Sequence, residues 1–145
     1  MKLPILVGAT IVVLFALLPG PDERVMIGLV LAPLAAVWLA VKKYGAAAVG
    51  NHEGAAIGFR SIFSGLFAAS MIHDTLWQVL NYRLWDMAKL EEILAWLAAA
   101  VNDSVRPFAW TVVTFQVVAA VVLAAIFGPV LGLLGVRLFA RRGKL

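Results

Sequence analysis

Glu53, Arg60, Ser64, Asp74 and Gln78 form a polar stripe within a long apolar stretch, Gly50 to Leu80, which also holds both histidines of the chain, His52 and His73. Ionisable groups inside a bilayer cost about 3 kcal/mol each unless they are paired or reach water, so a stripe of this kind is a candidate pathway or binding site. Glu53 and Arg60 lie seven residues apart, about 10 Å in rise on a helix, which is too far for an assured ion pair. Depth decides what the stripe can do. A helix that enters lipid near Ala55 places Arg60 about one turn inside, where it can snorkel to the headgroups, and places His73 and Asp74 about 27 Å further on, near the opposite interface. Anchoring or helix pairing is then the plain use of these residues, and conduction the sharper one.

A second stripe runs down the same stretch. Gly50, Gly54, Gly58, Ser61, Gly65 and Ala69 share one face of a helical wheel, about a third of a turn or more from the polar residues. Small residues at four-residue spacing let helix backbones approach closely in lipid, where van der Waals packing drives association. The stripe is read as a helix-packing face, used within the chain against the second or fourth apolar segment, or else for self-association. Gly128 and Gly132 repeat the spacing, with Pro129 disturbing the helix between them.

The histidines invite a cofactor. Bis-histidine haem ligation needs two imidazoles at one depth on facing helices, whereas His52 and His73 are about 30 Å apart along a single helix. A tetrapyrrole held through His73 alone and a haem shared between subunits are the remaining forms, and no other cofactor or metal is expected. No phosphate-binding glycine loop, H-E-x-x-H or G-x-S-x-G motif occurs, and Glu91 and Glu92 point about 100° apart, a poor acid–base pair. The absence of cysteine removes thiolate ligands and nucleophiles. The chain therefore reads as non-enzymatic.

The elements that carry these residues follow from composition. With 63% hydrophobic residues and a mean hydropathy of +0.98, the sequence exceeds the apolar content of soluble domains and marks an integral membrane protein. Its net charge of +4 comes from basic residues at the ends of apolar runs, where they face headgroups rather than nucleic acid. Spans are expected over about 3–18, 25–41, 55–80 and 107–136. No small-x-small cleavage site follows the first, so it reads as a retained span rather than a signal peptide. Pro19-Gly20-Pro21-Asp22 closes it, and Pro33 should kink the second unless a neighbour packs the bend.

Between spans three and four, the longest uncharged run, Ile93 to Val101, is too short to cross. Met87, Leu90, Ile93, Leu94, Leu97 and Val101 gather on one side, predicting an amphipathic helix at about 87–101 that lies in the interface. The fold class is all-α: an integral membrane four-helix bundle with one interfacial helix, a single transmembrane domain over 1–145. Placing both termini in the cytoplasm puts eight of the twelve basic residues inside, which satisfies the positive-inside rule.

Lys42-Lys43-Tyr44, followed by Gly58-Phe59-Arg60-Ser61 opening a third span, a polar outer segment and a final span with a basic end, resembles the small four-span bacterial membrane proteins grouped as a domain of unknown function. The resemblance implies no known activity; a bacterial inner (cytoplasmic) membrane location is expected. The expected function is an accessory or structural subunit that packs against other membrane subunits. The alternative is a small homo-oligomeric transporter or channel, and the third reading is a pigment- or haem-binding subunit using His73.

Overall fold

The computed structural model describes residues 1–18, 23–80 and 108–141, with side chains described at 1–18, 23–73 and 116–141. Four α-helices appear among them: α1 (Lys2–Leu17), α2 (Glu23–Tyr44), α3 (Asn51–Leu80) and α4 (Phe108–Gly135). A 3-10 turn, Ala46–Ala48, joins α2 to α3, and a π-helical turn, Val136–Ala140, extends α4. All regular structure among the described residues is thus helical. The interfacial helix expected at about 87–101 lies outside the described residues.

Among the described residues, three segments are long and apolar enough to cross a membrane: Glu23–Tyr44, Asn51–His73 and Gln116–Ala140. Helix α1, at 16 residues, is shorter. The helices outrun the apolar segments because backbone hydrogen bonding does not stop where hydrophobicity does. Helix α2 begins two residues before Val25 and ends three after Val41, adding Glu23 to its first turn and Lys42 and Lys43 to its last. Those charges suit the helix dipole at each end. Pro33 lies inside α2, fully buried, and the helix continues on either side of it.

Close contacts set the helix directions. Gly8 of α1 lies beside Ser61 of α3 and Gly65 lies beside Val12, so α1 and α3 run the same way. Gly54 faces Gly132 and Gly58 faces Gly128, so α3 and α4 run opposite ways. Gly28 of α2 packs on Phe15 of α1, closing an antiparallel hairpin. Lys2, Lys42, Lys43, Arg137 and Arg141 consequently collect at one end of the packed helices.

Alanine supplies about half of the buried apolar residues described, beside Leu29, Ile57 and Ile62. Ala9, Ala16, Ala32, Ala36, Ala40, Ala69, Ala120 and Ala124 are buried, whereas Leu6, Leu14, Ile27, Ile126 and Val130 are exposed. A soluble domain would bury the larger set. In lipid, large apolar groups gain nothing by leaving the surface, and small ones let helices approach closely enough for dispersion to hold them.

Arg24 ties the first two helices together. It is 9% exposed, and its Nε donates to the Phe15 carbonyl oxygen at 3.1 Å while an Nη donates to that of Ala16 at 3.4 Å. These carbonyls belong to the last turn of α1, where intrahelical donors run out.

Candidate functional site

Among the described residues, helix α3 separates the two stripes onto different sides. Gly54, Gly58, Ser61, Gly65 and Ala69 are all buried against the other helices. Arg60 and Ser64 are exposed on the other side, as is Glu53 in the first turn.

The small-residue stripe meets two different partners. Its first half meets α4: a Cβ on Gly58 would overlap the Gly128 carbonyl oxygen, and one on Gly128 would lie 2.5 Å from the Phe59 Cα. One on Gly132 would overlap the Gly54 carbonyl oxygen. Two glycine pairs therefore bring backbone onto backbone. The second half meets α1, where a Cβ on Gly65 would lie 2.9 Å from the Ala9 carbonyl oxygen and one on Gly8 would lie 2.5 Å from Ser61 Oγ. Ser61 Oγ is buried without a hydrogen-bond partner among the described residues.

Pro129 does not spoil the α4 half of this contact. It sits inside an unbroken helix, Phe108–Gly135, so Gly128 and Gly132 stay one turn apart on one face. Gly50 stands apart from the stripe. It is exposed, it precedes α3, and an added Cβ would meet only the mobile end of the Glu53 side chain. Gly50→Ala should therefore change stability by less than about 0.5 kcal/mol. Gly54→Ala, which would strike Val136 and the Gly132 backbone, should cost about 1–3 kcal/mol. Thermal unfolding of the two variants in one detergent checks the contrast.

Helix α3 starts at Asn51 rather than near Ala55 and runs to Leu80. Arg60 therefore lies nine residues after the first residue of α3 and twenty before the last, about 14 Å and about 30 Å of rise. Neither a hydrogen bond nor an ion pair is found at Arg60 among the described residues. Ser64 is exposed one turn on, and Phe59, Phe63 and Phe67 stack alongside, with ring centroids 6.0 and 6.2 Å apart. Asp74 and Gln78 continue along α3, and their side chains are outside the described residues.

His73 lies within α3 and is 3% exposed, whereas His52 is exposed in the first turn of that helix. The two are not brought together. Among the described residues no three His, Asp or Glu side chains converge as metal ligands. A shallow depression at the basic end, lined by Trp38, Val41, Lys42, Leu138 and Phe139, has Lys42 Nζ 5.0 Å from the Trp38 ring centroid. That pairing suits headgroup anchoring. Comparison with protein-family models, curated proteins and solved structures returned no match, so the chain's own residues carry the functional assignment.

Proposed function

We propose that this chain is a small non-enzymatic membrane protein that acts as an accessory or structural subunit, packing against other transmembrane helices in a larger complex. The observation that carries this reading is Arg60, with Ser64 beside it, exposed on the side of α3 away from its buried small-residue face. A charged side chain on a membrane-crossing helix is costly without a partner, and contact with another subunit removes that cost. In this reading α1 serves as a fourth, short span. The bacterial inner membrane is the site, with both termini cytoplasmic. The gathering of Lys2, Lys42, Lys43, Arg137 and Arg141 at one end supports that orientation.

Extraction in mild detergent followed by native electrophoresis tests the reading. The protein should migrate within a complex several times its own mass of 15.6 kDa. A stable, monodisperse monomer from native membranes would overturn it.

The outward placement of both Arg60 and Ser64 also favours a second reading, a homo-oligomeric transporter or channel whose route they line together with Asp74. Flux through reconstituted vesicles would then fall for Arg60→Ala, and unchanged flux excludes it. Tetrapyrrole binding through His73 is tested by the absorption spectrum of the protein purified from its native membrane, which should lack a Soret band.

A further inference from the structure

We propose that the depression between α2 and the π-helical turn is a binding site for an anionic glycerophospholipid, with its phosphate on Lys42 and the start of an acyl chain on Trp38, Val41, Leu138 and Phe139. The proposal stands apart from the subunit reading and needs only that the helices cross a bilayer.

The site is built where two helices stop. Helix α2 ends at Tyr44, and Gly45 turns the chain with a φ of 89°. Lys42 therefore stands in the last turn of α2, with Trp38 one turn before it. Facing them, α4 changes to i→i+5 bonding over Val136–Ala140, a rare geometry that occurs mostly as a single turn and frequently at functional sites. Gly135, just before the turn, lies against Val37 of α2, and Phe139 packs on the cluster holding Val37 and Ala40, so the turn is held against α2. The depression they enclose has a volume of about 420 Å³, within the range that seats a small ligand. Four of its five lining residues are apolar or aromatic, and the fifth is Lys42, whose Nζ lies 5.0 Å from the Trp38 ring centroid. An apolar surface with a cation at its outer edge matches the polarity of a lipid, chain inward and phosphate outward. Basic pockets between membrane helices bind anionic headgroups for this reason.

Charge at this end of the helices favours a ligand with a net negative charge. Lys43, Arg137 and Arg141 are exposed here, and the sequence beyond adds Arg142 and Lys144. Glu53 is the acid of this end among the described residues, and no ion pair is found between it and a basic side chain there. Asp22, Asp86, Glu91, Glu92 and Asp103 belong to sequence stretches that leave and rejoin the helices at the other end. About 40 Å of α3 separates Leu80 from Gly54, which lies beside Val136. Glu92 is twelve residues past Leu80 and would need all twelve fully extended to cover that distance.

The test is native mass spectrometry of the full chain, delipidated in detergent and titrated with phosphatidylglycerol, phosphatidylcholine or inorganic phosphate. Phosphatidylglycerol should bind about fivefold more tightly than phosphatidylcholine, the factor that one lysine near an anionic group supplies. Lys42→Gln should erase that difference, whereas Lys43→Gln, which removes the same charge outside the lining, should leave it within about twofold. Trp38→Ala should weaken both lipids. Equal affinity for the two lipids on the parent protein, a comparison that needs no variant, overturns the proposal. Equal losses for Lys42→Gln and Lys43→Gln overturn it as well, because a diffuse basic surface then replaces the site. So does displacement of phosphatidylglycerol by inorganic phosphate at equal concentration, which marks an anion site without a place for the chain.

Discussion

Gly58→Leu should separate α3 from α4 and undo the most extensive helix contact among the described residues. The Gly58 position is already filled by the Gly128 carbonyl group, so there is backbone rather than a flexible side chain in the way. Overpacking of this kind costs about 1–3 kcal/mol for small additions, and backbone cannot rotate aside as a side chain does. Gly58→Ala should fall in that range despite the roughly 1 kcal/mol that alanine gains over glycine in helix propensity. Leucine should abolish the contact. The chain has no cysteine, which gives a clean readout. Ile62→Cys with Ala124→Cys joins two residues of one core cluster across α3 and α4, and should form a disulfide on mild oxidation. Adding Gly58→Leu should suppress it, and adding Gly50→Ala should not. An unaffected disulfide with Gly58→Leu would contradict the glycine crossing.

The second large effect is expected at Arg24. Its Nε and Nη donors satisfy the Phe15 and Ala16 carbonyl groups, while Leu14 accepts from the Leu18 N–H at 3.0 Å. Hydrogen bonds to a charged donor contribute about 1.5–3 kcal/mol, and carbonyl groups left without a donor in a water-poor setting add to the loss. Arg24→Ala should therefore lower stability by at least about 2 kcal/mol and loosen α1 before the other helices. Arg24→Lys should restore part of the loss, since an ammonium also donates to carbonyl oxygen without the planar fork. A cysteine placed at Val12, now 1% exposed, reports the loosening by its rate of maleimide labelling. Equal labelling in the parent and in Arg24→Ala would show that Arg24 does not hold the hairpin.

The helices were legible in the sequence because uninterrupted apolar runs have few other ways to satisfy a backbone in lipid. Their ends were less so. Lys42, Lys43 and Tyr44 look like a boundary by hydropathy, yet their amides still find carbonyl partners one turn back, and α2 keeps going. At α3 the same effect moved the start to Asn51, nine residues before Arg60. The two stripes could be read from the 100° repeat alone. The identity of the facing helices could not, because helices cross at an angle: one stripe on α3 meets α4 at Gly54 and Gly58 and α1 at Ser61 and Gly65. Pro129 drew attention away from Gly128 and Gly132, although a proline inside a helix removes one donor without turning the neighbouring residues off their face. Arg24 looked like one more interfacial charge, since nothing in the sequence shows that two carbonyl groups nine and eight residues earlier lie within its reach.

The glycine crossing also has a consequence for how the protein is made. Gly128 follows Gly58 by 70 positions, and ribosomes add about 5–20 residues each second, so the α4 half arrives roughly 4–14 s after its mate. The α1 contacts at Gly8 and Val12 precede α3 in the chain and close first. For those seconds the Gly54 and Gly58 face is bare in the membrane, and any helix with small residues competes for it. Slowing translation between Leu80 and Phe108 should lengthen that window and raise the yield of mispaired chains.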